Sequence, residues 1–193
     1  MKKNILFVLC AIFITINVTS QTKEIRVMLG GGYSTNGSGS GHGYSFFNQV
    51  DIQLNKRFYI SPGIQFTNHA QTYSLPPWNL NYVTGGVDVF TNINYLIISR
   101  SHHHFALGAG PFIRFQSSSV PLYACTTWDF NTNQKLLDIE YGKLRTTSVG
   151  FNVAPMYYYQ CNNKLLFGAK FSFQNDTEGD VITAATVFVG VKL

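Results

Sequence analysis

Seven charged residues, Glu24, Arg26, Asp51, Asp88, Arg114, Lys170 and Lys192, stand inside alternating runs and all occupy the same phase of the alternation. The other phase is apolar. It reads Ile25, Val27, Leu29 near the start, Phe58, Ile60, Ile64, Phe66 further on, and Ala185, Val187, Val189, Val191, Leu193 at the end. Successive side chains of a strand point to opposite faces. Eight segments therefore each carry one apolar face, opposite a face of Gly, Ser, Thr, Asn, Gln and charge. With its charges and many glycines, the polar phase is too small and too polar to build an ordinary core. The economical arrangement is an all-β, eight-stranded, antiparallel, up-and-down barrel with the apolar face on lipid and the polar face in a lumen.

The first 20 residues read as a cleavable signal peptide: Lys2 and Lys3, an apolar run, then the small residues before a cut after Ser20. The run is short for a helical span of ~20 residues. Residues 21–193 then form one barrel domain. Of 14 basic residues two lie in the leader, so the remainder exceed the nine acidic ones by three. That excess is too mild for a nucleic-acid partner, and no basic run supports one. Cys125 and Cys161 fall in connections on opposite sides of the barrel, too far apart for the ~7 Å Cα separation of a disulfide.

Connections alternate in length. Residues 55–57, 99–104 and 160–164 are short; residues 34–43, 68–80, 175–181 and the stretch between Gln116 and Thr146 are longer. Outer-membrane barrels have short periplasmic turns and longer external loops, so both termini are expected in the periplasm. Aromatic residues bracket the strands as two girdles, for example Tyr95 and Tyr157 beside the turns and Tyr44 and Phe115 beside the loops. Pro62, Pro111 and Pro155 fall within strands and mark bulges or places where a strand pair loosens. Asn48, polar on the outward phase, is expected near the membrane interface.

The leader, the eight alternating strands, the turn and loop asymmetry and the terminal Thr186-Val187-Phe188-Val189-Gly190-Val191-Lys192-Leu193 resemble the small outer-membrane β-barrel family of the OmpA/OmpX type. The glycine-rich stretches Gly30-Gly31-Gly32 and Gly108-Ala109-Gly110 are similar too. The resemblance implies recognition of the last strand by the barrel-assembly machinery, although Leu193 replaces the usual terminal aromatic residue.

An eight-stranded barrel is narrow enough for side chains to fill it. The seven charged residues are therefore expected to form a paired lumenal network that plugs the barrel. A narrow pore, with weak anion preference, is the functional alternative. His102-His103-His104 reads as a solvated turn rather than a metal site, and His42 and His69 as loop residues at the surface. His69 with Ser74 and Asp129 or Glu140 offers the parts of a catalytic triad, but no spacing demands one. Neither catalysis nor a cofactor is expected. Tyr123, Trp128, Phe130 and Tyr141 give the 116–146 loop a composition suited to recognition; residues 136–144 partly alternate and extend a hairpin above the membrane. The expected partners are outer-membrane lipids, lipopolysaccharide and an extracellular partner at that loop. The rival reading is a secreted, lipocalin-like soluble barrel that binds a small apolar ligand inside the aromatic phase.

Overall fold

A computed structural model describes residues 24–37, 41–75, 78–129, 134–162 and 164–193. The leader (1–20) and Phe130 lie outside the described residues. Eight strands run in chain order: β1 (Ile25–Asn36), β2 (Gly41–Gln53), β3 (Phe58–Leu75), β4 (Trp78–Arg100), β5 (His103–Asp129), β6 (Gln134–Gln160), β7 (Leu165–Asp176) and β8 (Val181–Lys192). Each pairs antiparallel with the next, and β1 pairs with β8 from Arg26↔Lys192 to Asn36↔Ile182, closing the barrel. Closure removes both sheet edges, the condition for strands to cross hydrocarbon.

The apolar phase faces outward all round the barrel. Leu29, Phe46, Ile93, Phe151 and Val187 are exposed, whereas Arg26, Asp51, Asp88, Arg114 and Lys170 are at most 4% exposed. This orientation excludes the soluble, ligand-enclosing barrel, whose aromatic phase would have to line a cavity.

Connections at one end are short, from Gln53 to Phe58, from Arg100 to His103 and from Gln160 to Leu165. At the other end, two stretches expected to be loops are strands. β3 and β4 pair up to Leu75↔Trp78, and β5 and β6 up to Asp129↔Gln134. Residues 68–75 with 78–80, and 116–129 with 134–146, are therefore hairpin extensions, the second anticipated only for 136–144.

The three prolines act alike. β2–β3 pairing lapses between Gln49↔Gly63 and Ile52↔Ile60, β4–β5 between Phe90↔Phe112 and Ile93↔Ala109, and β6–β7 between Val153↔Phe173 and Met156↔Lys170. Each gap contains the proline, and the register is the same on both sides. The missing N–H loosens one ladder without shifting it. The register shifts lie elsewhere, where Ile97 and Leu122 are the extra residues. Asn48 is the polar residue on the outward face of β2. It lies mid-strand and exposed, paired with Leu29 and Ile64, one outward position from Phe46 and Phe66 of the loop-side aromatic row.

The interior also departs from the polar filling expected of it. Met28, Phe47, Leu96, Ala106, Met156, Tyr158, Leu166 and Phe188 form a buried apolar cluster toward the turn end. Inward glycines make the room. A Cβ on Gly30 would stand 2.5 Å from the Phe47 ring, and one on Gly190 would stand 2.6 Å from Leu166 and 2.8 Å from Met28. Large side chains from one strand fill the space that glycine leaves on the next, as a narrow barrel requires.

Candidate functional site

Two regions hold the functional candidates: the lumen and the β5–β6 hairpin. In the lumen the seven charged residues do not form one network. At the turn end, Glu24 accepts from Arg26 and is 2.6 Å from the Lys192 ammonium. Burial opposes the charge on Glu24, but hydrogen bonds and the fields of Lys192 and Arg26 outweigh it and hold the carboxyl below its usual range. Arg26 also donates to Tyr158 and, at 3.0 Å, to the Tyr59 hydroxyl. Both rings lie within 5.0 Å of its guanidinium carbon. Tyr59 and Tyr158 escaped the sequence reading, although both stand in the polar phase.

Asp51 and Lys170 are joined through an amide. The Lys170 ammonium donates to Gln49 Oε1 at 2.9 Å, and Gln49 Nε2 donates to Asp51 Oδ1 at 2.7 Å. The Ser61 hydroxyl donates to the same carboxylate at 2.6 Å and accepts from Asn94 at 2.6 Å. The ammonium also sits 4.2 Å from the centre of the Phe47 ring and 4.8 Å from that of Phe90.

Nearer the loop end, Arg114 is fully buried and forks onto Asp88, with Nε to Oδ1 at 2.7 Å and Nη2 to Oδ2 at 3.0 Å. It further donates to Gln174 at 2.8 Å and to Asp176 at 3.0 Å, and Ser148 donates to Asp176 at 2.8 Å. Two carboxylates around one guanidinium is the bidentate, multiply donated arrangement that a buried ion needs. The other carboxylate oxygen of Asp176 accepts the backbone N–H groups of Glu178 and Asp180, so the same residue also shapes the β7–β8 turn. Asp176 was missed because it lies within the stretch read as a loop. Its place two residues beyond Gln174, in the phase of Lys170 and Ser172, was the available signal.

Two histidine expectations are corrected. His69 is buried in β3, with Nε2 2.9 Å from the Ser34 hydroxyl, because β3 continues as strand to Leu75 and its phase points inward at His69. His104 is also buried and stacks on Tyr158 with ring centroids 4.8 Å apart, since the turn is only two residues long. His42 is exposed beside Tyr33, and His102 and His103 are exposed near Tyr159. Among the described residues no group of three or more His, Cys, Asp or Glu is placed to hold a metal. The triad candidates are not brought together: His69 and Ser74 stand an odd number of residues apart on β3, hence on opposite faces, and Glu140 pairs with Tyr123 across the hairpin. Cys125 belongs to the β5 extension and Cys161 to the turn after β6; both are free thiols.

β5 and β6 are 27 residues each, far more than the ~9–11 residues of a membrane crossing. β6 meets β7 in the ladder only from Gly150 onward, and Val149 is bonded to Thr177 of the β7–β8 turn, so the 134–148 portion of β6 pairs on one side alone. Tyr123, Trp128 and Tyr141 are exposed on this hairpin. The Tyr141 hydroxyl accepts the backbone N–H of Asn81 at 3.4 Å, a link to the neighbouring β3–β4 hairpin.

Solved structures share this architecture at low identity. Neisserial surface protein A is 14% identical, with a TM-score of 0.55 over 90% of this chain and 98% of that one. The attachment invasion locus protein Ail of Yersinia pestis is 7% identical, with a TM-score of 0.52 over 90% and 100%. A major outer membrane protein from Thermus thermophilus is 10% identical, with a TM-score of 0.51 over 90% and 100%. The chain has the fold of the small outer-membrane β-barrels. No family model matches the sequence, and no curated protein matches it. The barrel fold and its outward apolar belt together assign the chain to the outer membrane, where closed barrels are the transmembrane solution.

Proposed function

We propose that this chain is a plugged outer-membrane barrel that serves as a rigid mount for a surface-interaction hairpin. The observation that carries this reading is the length of β5 and β6, whose ladder continues to Asp129↔Gln134. Strands of 27 residues at ~3.3–3.4 Å per residue reach roughly 90 Å along their direction, well past any bilayer core. The outer portion offers exposed rings, with a long β6 flank whose backbone groups are open to an incoming strand. Charged residues Asp138, Glu140, Lys143 and Arg145 along that flank disfavour indiscriminate sheet growth and leave pairing to a complementary partner. The lumen contributes support. Its ion pairs, amide chain and apolar cluster occupy the space that a conducting path would need, which favours the plug over the narrow pore. Lipid and lipopolysaccharide surround the belt, the assembly machinery reads β8, and no reaction is assigned to the protein.

The test is a variant in which residues 120–142 are replaced by a two-residue turn, expressed in a deletion strain. It is expected to insert and migrate as a folded, heat-modifiable barrel, while surface adhesion or cell–cell contact restored by the full chain is lost. Equal restoration by both chains would remove the hairpin from the function. Planar bilayers with the full chain should show no discrete openings; regular openings would instead support the pore.

A further inference from the structure

The outward surface of β3–β6 changes character in successive registered rows. Ile64, Val89, Ile113 and Val149 form an apolar row, and Phe66, Val87, Phe115 and Thr147 the next one toward the loop end. Above them come Asn68, Gly85, Ser117 and Arg145, then Ala70, Val83, Ser119 and Lys143. All are on the outward phase. An open recess of about 910 Å³ crosses the second and third rows, bordered by Tyr44, Phe66, Val87, Phe115, Gly85 and Arg145. Its floor is the bare backbone at Gly85, where an added Cβ would meet nothing nearer than the Thr67 carbonyl at 3.9 Å.

Arg145 and Lys143 stand two residues apart on one strand face, roughly 7 Å along the chain. Both side chains are exposed, and neither has a salt-bridge partner among the described residues. β7 does not pair with β6 at this height, so the flank beside them is open. The sequence of surfaces is therefore hydrocarbon contact, an aromatic shelf with a dent, and two unpaired cations directly above.

The geometry points to a built site for one lipid with a phosphate-bearing headgroup: acyl chains lie over Val87 between Phe66 and Phe115, and the phosphate rests on Arg145 and Lys143. The inference rests on the transmembrane reading but not on the hairpin's role. An anionic headgroup is selected because the cations lie just above the aromatic row, the level at which headgroups meet rings. The guanidinium can fork onto two phosphate oxygens while the ammonium serves as a point charge. A zwitterionic phospholipid would fill the dent, but its phosphate is already compensated by its own ammonium and brings no net negative charge to the two cations.

The full chain in detergent micelles, titrated with phosphatidic acid and examined by native mass spectrometry, gives the affinity of the first retained lipid. Phosphatidylcholine with the same chains is the comparison, and inorganic phosphate the competitor. R145Q/K143Q should weaken phosphatidic acid about fivefold per cation, hence roughly 25-fold, at the usual worth of a basic residue beside an anionic surface. Phosphatidylcholine should be unchanged. Gly85→Val fills the dent in open space without straining the barrel, and it should weaken both lipids. Heat-modifiable gel mobility verifies that each variant is folded. Equal retention of phosphatidic acid by the double variant would overturn the site, as would no effect of Gly85→Val. Displacement of phosphatidic acid by inorganic phosphate at equal concentration would also overturn it, because the acyl chains would then contribute nothing. All three results leave the adhesion test of the hairpin unaffected.

Discussion

Replacing Arg114 with methionine is expected to destabilise the barrel by about 3–5 kcal/mol, the usual cost of removing one partner from a buried ion pair. The reason is geometric. Arg114 alone neutralises both Asp88 and Asp176, at 2.7 and 3.0 Å, in a site where its side chain and that of Asp88 have no solvent contact and that of Asp176 has 1%. Methionine has comparable reach but leaves two carboxylates facing each other across a dry lumen. The loss is also expected to loosen the β7–β8 turn, because Asp176 caps the N–H groups of Glu178 and Asp180 with its other oxygen. Urea unfolding in micelles, followed by gel mobility, reads the change. A triple variant, R114M with D88L and D176N, should recover most of the loss. No uncompensated charge remains in it, and the amide oxygen introduced by D176N can still accept the turn N–H groups. A single variant within about 0.5 kcal/mol of the parent, the range of an ordinary surface change, would mean that the lumen is wet.

The second large effect is expected on the outside. Val187 lies near the middle of β8 and is 69% exposed. In a soluble protein an arginine there would be nearly silent. Facing hydrocarbon at mid-depth, Val187→Arg should cost about 2–4 kcal/mol, whereas Val83→Arg, above the aromatic row, should cost about 0–1 kcal/mol. The comparison is made in bilayers, because a micelle deforms around the charge. Equal costs at the two positions would place neither in a membrane.

The difference between these two sites reflects how legible the fold was from the sequence. The period-2 pattern dictated strand number, order and facing, since a shift of one residue would turn every valine inward and every charge onto lipid. Strand ends were less legible. Asn68–Leu75 and Gln116–Asp129 continue as strand outside the hydrocarbon, where no apolar face is required and the alternation therefore fades. His69 and Asp176 were misplaced for that reason. The inward apolar residues were obscured for another: Phe47, Phe112 and Phe188 stand in the polar phase beside glycines, and only the three-dimensional register shows that each large ring fills space left by Gly30, Gly150 or Gly168. Pairing of charges across the barrel was equally hidden. Phase put Arg114 and Asp88 on the same face, but only the register of β5 on β6 and of β6 on β7 brings in Asp176, 62 positions along the chain.

The orientation of the apolar faces is tested most directly by nitroxide labels at Val89, Phe151 and Val189 in the bilayer-inserted chain. Each residue is about half exposed, at 47%, 54% and 57%. The labels are expected to relax strongly with dissolved oxygen and weakly with a water-soluble nickel chelate, the signature of acyl-chain contact. Labels shielded from both reagents would contradict it, because the valines and phenylalanines would then face a packed interior and the buried charges would belong outside.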